Sequence, residues 1–177
     1  VSKAKNNETV KTLDSQKRKL TNDDLVITDG DKPIALAGVM GGLETEVTDS
    51  TVNLLIESAY FDKVSIMKTS RKLGLISDAS IRFERGIDFN IQKYGLEQFL
   101  MTLKDSQNIK YSELSIDTKN NIKNEKVNLK KDEIKKLLGI ELKDSFIKKT
   151  LKNLMIDGEI KKDIIEFTAP SWRYDLD

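Results

Sequence analysis

Cysteine and histidine are both missing from the 177 residues of this chain. Without cysteine there is no disulfide framework and no thiolate zinc site, and a reducing cytoplasm is the default setting. Without histidine the commonest general base and the commonest transition-metal ligand are gone. Catalysis would therefore draw on carboxylates, hydroxyls, backbone amides, cations or the substrate itself. A metal site would have to be all oxygen, which favours Mg²⁺ or Ca²⁺. No apolar run approaches the ~20 residues that span a bilayer, and no signal-peptide pattern opens the chain.

What is present describes a soluble globular protein, with 38% hydrophobic and 33% charged residues. The length suits one ordinary domain, or one domain plus a small one. The first residue is Val and the last seven read SWRYDLD, so the chain reads as a piece excised from something longer. A net charge of +1 hides an asymmetry: residues 119–162 hold 13 lysines against 7 acids, leaving +6 there and −5 elsewhere. Such a basic lobe suits a polyanion; the plainer reading is the solvated face of surface helices.

Hydrophobic periodicity and punctuation divide the chain. Residues 1–24 are polar and read as a ragged lead-in with one short strand at most. Leu25–Asp29 and Ile34–Ala37 read as strands around a Gly30-to-Pro33 turn, hence a hairpin. Gly38-Val39-Met40-Gly41-Gly42 is either a tight connection or a place where backbone approaches a ligand, and it lacks the spacing of a dinucleotide or P-loop fingerprint. Val52–Tyr60 is short and apolar and predicts a buried strand, interrupted by Glu57. Asp62 and Gly74 bracket a helix from Lys63 to Leu73. Ser77 or Asp78 caps a further helical turn, whose free amides suit a carbonyl or phosphate oxygen. An amphipathic helix over 91–104 places Leu96, Phe99, Leu100 and Leu103 on one face.

Tyr111–Asp117 reads as a strand and Lys119–Asn124 as a linker. Beyond it come a strand at Val127–Leu129 and a helix at Lys131–Leu138, burying Ile134, Leu137 and Leu138 and stopped by Gly139. A second helix follows, capped by Asp144 and burying Ile147, Leu151, Leu154 and Met155. An Asp157-Gly158 hairpin turn then joins 155–156 to 164–167. The order strand, helix, helix, hairpin is winged-helix-like, and at this size marginal alone.

Three stretches in this order, IALAGVMGG at 34–42, LLIESAYFDKVSIMKTSRKLGLISDASIRFERGID at 54–88 and APSWRYDLD at 169–177, resemble the β subunit of bacterial phenylalanyl-tRNA synthetase. The resemblance implies an α+β fold. A mixed-sheet B3/B4-type domain, truncated at its N-terminus, would occupy 1–122. The start of a small winged-helix-like B5-type domain would occupy 123–177. The implied parent is cytoplasmic, pairs with an α subunit as an α2β2 heterotetramer, binds tRNA(Phe) and charges it using ATP and Mg²⁺. The B3/B4 domain in this family hydrolyses tyrosine mistakenly esterified to that tRNA.

Carried over position by position, Glu57 is the carboxylate that recognises the tyrosine hydroxyl. Gly41 brings backbone to the aminoacyl group, and Ala79 limits pocket size. Ser77, standing where many members carry Thr, positions water. Ser77 and Glu57 are thus the implied catalytic pair. Arg71, Arg82 and Arg85 either touch the tRNA terminus or pair within the chain, for example with Glu84 or Asp88. Asp175 matches the first of several Mg²⁺ ligands, the others lying beyond Asp177. Pro170 and Trp172 anchor the chain end by packing. The family pocket also uses a histidine from an upstream segment, which this sequence does not contain. A non-catalytic recognition or scaffold module is the alternative.

Overall fold

The computed structural model describes residues 1–106, 109–117, 122 and 124–176. Most of the expected linker over 119–124 lies outside them. Two compact units result, Val1–Ile87 with Ile91–Ser106, and Asp88–Asn90 with Gln107–Asp177.

The first unit is built on a four-stranded antiparallel sheet in the order β1-β4-β5-β6, with strands Ser2–Lys3 (β1), Leu25–Thr28 (β4), Pro33–Leu36 (β5) and Met40–Gly41 (β6). The predicted hairpin is its centre, pairing Val26 with Leu36 and Ile27 with Ala35. Thr9–Lys11 (β2) and Lys17–Lys19 (β3) form a second, two-stranded hairpin. The lead-in is therefore more ordered than its polarity predicts. Single apolar side chains do the anchoring: Ala4, Val10 and Leu20 are buried beside Val26, Leu36 and Ile66, while their neighbours face water. Only Val10 lies inside one of these strands of two or three residues, and Ala4 and Leu20 fall just past strand ends, which leaves no alternation long enough to detect.

Two helices complete this core. Lys63–Leu73 (α1) starts where Asp62 accepts from the Ser65 amide at 2.8 Å and ends at Gly74, as expected. The helix is latched to the sheet through polar groups. Asp24, only 1% exposed, accepts from the Thr21 amide at 2.9 Å and from Thr69 Oγ1 at 2.8 Å, and pairs with Lys72. Arg18 also donates to the Leu73 carbonyl at 3.1 Å, neutralising an orphan acceptor at the helix end. Asp78–Arg85 (α2) packs against α1 and begins at a capping box, in which the Ser77 hydroxyl accepts from the Ser80 amide and Ser80 Oγ accepts from the Ser77 amide.

Other expectations in this unit fail. Val52–Tyr60 forms no strand: it carries no regular secondary structure, and Val52 and Leu55 are 89% and 101% exposed. An apolar run reports a preference for burial, and no neighbouring strand here offers it a ladder. Gln92–Ser106 (α3) does form, but Leu96, Leu100 and Leu103 are only half-buried and Phe99 is exposed, so its stripe is not a core face.

In the second unit, Tyr111–Asp117 is irregular and exposed rather than a strand. The order strand, helix, helix, hairpin holds: Lys126–Lys130 (β7), Lys131–Leu138 (α4), Asp144–Asn153 (α5), Gly158–Lys161 (β8) and Ile164–Thr168 (β9). The sheet order is β7-β9-β8, with Leu129 opposite Ile165. Gly139 ends α4 as expected. The cap of α5 is Lys143 without a side-chain bond; Asp144 lies in the first turn and pairs with Lys131 at 2.7 Å. The hairpin turns at Lys162-Asp163, not at Asp157-Gly158. Ile147, Ile156 and Ile165 are buried, Ile134 and Leu151 are half-buried, and Leu137, Leu138, Leu154 and Met155 are exposed. A helix of eight residues under a three-stranded sheet has one inward face, and both leucines at its last turn fall off it. Pro170 is buried, and Trp172 is 48% exposed, so Pro170 alone packs as expected.

Candidate functional site

The loop from β5 to β6 turns at Gly38, whose φ of 66° lies in the left-handed region. It runs over a hollow of about 420 Å³ in the first unit. Residues distant in sequence meet there: Gly38 and Gly41 from the glycine-rich connection, Glu57 and Ser58 from the irregular segment, and Ala79 and Phe83 from α2. Three of the four expected pocket residues, Gly41, Glu57 and Ala79, thus line one space.

Glu57 stays open to solvent, yet the walls crowd its carboxyl enough for desolvation to push its pKa up from the ordinary glutamate range. The positive chain terminus opposes this shift and is outweighed. No hydrogen bond or ion pair holds the Glu57 carboxylate among the described residues. A carboxyl held this way gains from any ligand hydroxyl that donates to it.

Ser77 stands one step back. It does not line the hollow; its Oγ donates to the Val39 carbonyl and accepts from the Ser80 amide. The hydroxyl proton expected to position water is committed to the loop that forms the hollow's wall. At the same helix start, the amides of Ser80 and Ile81 are engaged by Ser77. Those of Asp78 and Ala79 are the first-turn donors that α2 itself cannot satisfy, and Ala79 faces the hollow.

Arg71, Arg82 and Arg85 are exposed, and none of the ion pairs among the described residues involves them. Arg82 and Arg85 occupy the last turn of α2, where a cation complements the helix dipole.

Asp175 belongs to the second unit and is held by Arg173 through two bonds of 2.7 Å. This contact lowers its pKa to about 2. Among the described residues no group of three or more His, Cys, Asp or Glu side chains converges as a metal site. Asp175 with Arg173 across it does not fit Mg²⁺. No helix among the described residues is long and apolar enough to cross a membrane.

Sequence reasoning missed Phe83, Ser58 and Phe61. Phe83 was hidden within the charged run RFERG, and only its helical spacing from Ala79, one turn earlier on α2, marks a shared face.

The B3/4 domain family matches residues 1–108. The chain belongs to the B3/4 domain family. A second family, the tRNA synthetase B5 domain, matches residues 127–177. The B3/4 match takes in the whole hollow, and the B5 match takes in most of β7, the elements from α4 to β9, and Asp175. Among curated proteins, the chain is similar to the phenylalanine–tRNA ligase β subunit of Oceanobacillus iheyensis, with 59% identity over 83 residues, 47% of this chain and 10% of that protein. The β subunit of Staphylococcus haemolyticus is 59% identical over 87 residues, 49% of this chain and 11% of that protein. That of Xylella fastidiosa is 56% identical over 85 residues, 48% and 11% respectively. The matched stretch therefore spans about a tenth of these relatives' length.

Proposed function

We propose that this chain is the editing region of a phenylalanine–tRNA ligase β subunit, with a B3/4 unit over 1–122 that hydrolyses tyrosine wrongly esterified to tRNA(Phe). The B5-type unit over 123–177 would link it to the rest of the subunit. In this reading the parent works in the cytoplasm as an α2β2 assembly. It charges tRNA(Phe) using ATP and Mg²⁺ on the α subunit.

The observation that carries the proposal is Glu57 in the hollow, its carboxyl partly desolvated and without a hydrogen bond or ion pair among the described residues. A tyrosyl group entering with its ring among the apolar walls donates its phenol to Glu57. Phenylalanine enters the same space but leaves the carboxyl desolvated and unpaired. Discrimination by a missing partner reaches about 10⁴ where the group is fully buried, and a carboxyl still open to water gives less. Hydrolysis then needs water to add to the ester carbonyl carbon. The carbonyl oxygen gathers negative charge, for which the Asp78 and Ala79 amides are suited donors. The carbon–oxygen bond to the ribose breaks, and the ribose oxygen leaves with a proton. With no imidazole in the chain, an aminoacyl ester is a fitting substrate, since its activated carbonyl asks least of a general base. Ser77 serves by holding the Val39 loop and the α2 start in place, and Arg71, Arg82 and Arg85 offer exposed cations to the RNA backbone.

The test is deacylation of Tyr-tRNA(Phe) and Phe-tRNA(Phe) by the full-length β subunit with its α subunit, with Glu57 intact and as Glu57→Ala. The intact protein is expected to clear the tyrosyl ester and spare the phenylalanyl ester, and the variant to lose that preference. Equal hydrolysis of Tyr-tRNA by both proteins would overturn the role of Glu57. The commitment of Ser77 Oγ to Val39 favours a second reading, a recognition module without hydrolysis, which predicts tRNA binding unaccompanied by deacylation.

A further inference from the structure

We infer that Phe83 is the specificity-determining wall of the hollow, the surface against which an aromatic acyl group stacks. The inference rests on the ligand-binding reading of that hollow. Phe83 is the one aromatic side chain among the described residues that line it. The walls contributed by Gly38, Gly41 and Ala79 are too small to distinguish a flat ring from a branched aliphatic group.

Phe83 is also held rigidly. Its ring packs on Phe61 with centroids 5.1 Å apart and planes tilted by 57°. Gly38 makes room for this contact: a Cβ there would lie 2.9 Å from Phe61, 3.0 Å from Ile66 and 3.1 Å from Phe83. The backbone beneath Phe83 is fixed in turn by the Ser77 cap of α2. A preorganised ring of this kind favours another ring, offset or edge-on, over an aliphatic group of equal area. Glu57 and Phe83 then divide the work. Glu57 reads the hydroxyl, and Phe83 reads the ring that carries it.

The experiment measures binding, so that it does not depend on hydrolysis. Full-length β subunit with its α subunit is titrated with two non-hydrolysable probes, adenosine carrying tyrosine or leucine through a 3′-amide. Phe83→Leu is expected to weaken the tyrosyl probe about tenfold, the size of a good aromatic pair, and to leave the leucyl probe within about twofold of its original affinity. Phe83→Tyr, which keeps the ring, is expected to retain tyrosyl binding within about twofold. Should Phe83→Leu fail to fold, Phe83→Met replaces it in the same comparison. Equal weakening of both probes, no change in either, or no binding of the tyrosyl probe by the unaltered protein would overturn the inference. An unaltered protein that shows this selectivity but leaves Tyr-tRNA intact would overturn the hydrolytic reading alone.

Discussion

Ser77 Oγ donates to the carbonyl oxygen of Val39 at 2.5 Å, across 38 residues of chain. One hydroxyl thereby ties the start of α2 to the loop that walls the hollow, while its lone pair caps the Ser80 amide. Ser77→Ala removes both bonds and leaves the Val39 carbonyl short of a partner. A loss of about 1–3 kcal/mol is expected, measured by urea unfolding of the full-length protein. Ser77→Thr keeps the hydroxyl and is expected to restore most of it. If Ser77 only positions the wall, deacylation should recover with stability in the threonine variant.

Asp24 is the buried counterpart of this tie, holding α1 rather than α2. Desolvation alone would raise its pKa, but bonds from Lys72, Thr21 and Thr69 outweigh it and the net shift is downward. A carboxyl with a depressed folded pKa adds stability above its unfolded pKa, near 4. That stability is lost as pH falls through the folded value. Asp24→Asn should therefore be markedly less stable at neutral pH, and the gap should narrow as pH drops below about 4. Chemical denaturation across pH would show it; a constant difference at every pH would refute the assignment.

How far the sequence carried the structure depends on where each signal lay. Helix limits set by one residue's own chemistry were legible: the Asp62 and Ser77 side chains bond the backbone where α1 and α2 start, and Gly74 and Gly139 take the left-handed conformation that ends α1 and α4. Burial was less legible, because it depends on neighbours that periodicity cannot name. Leu55 and Leu137 sit in apolar patterns and face solvent, whereas Val10 and Leu20 sit in polar surroundings and are buried. For the hollow, Gly41, Glu57 and Ala79 were reached through family resemblance. Phe83 became visible only when α2 had been placed beside the Gly38 loop.

Gly41 and Gly42 are adjacent but face different constraints. A Cβ on Gly42 would lie 1.9 Å from the Ile34 carbonyl oxygen, which belongs to β5 and cannot move aside. On Gly41 the nearest atom would be a Leu13 methyl at 3.2 Å, which can shift. Gly42→Ala is therefore expected to cost about 3 kcal/mol or more by separating β5 from its neighbour, and Gly41→Ala about 1 kcal/mol or less. Thermal unfolding of the two variants checks the ranking.

Glu57 should be a site where function opposes stability. Its folded pKa is raised by desolvation, so between the unfolded value, near 4.3, and the raised one the native state holds more protons than the unfolded state. Stability then falls as pH rises through that window, and the ionised carboxylate is a net burden at neutral pH. Glu57→Gln removes the charge while keeping the shape. The variant is expected to be more stable than the unaltered protein at pH 7 and to lose that advantage below about pH 4. It should also lose discrimination between tyrosyl and phenylalanyl esters, because a neutral amide accepts a phenol proton far more weakly than a carboxylate does. Unfolding at the two pH values, paired with deacylation, tests both halves. A variant that is no more stable at pH 7 would show that the hollow does not desolvate Glu57, and the basis for phenol recognition would go with it.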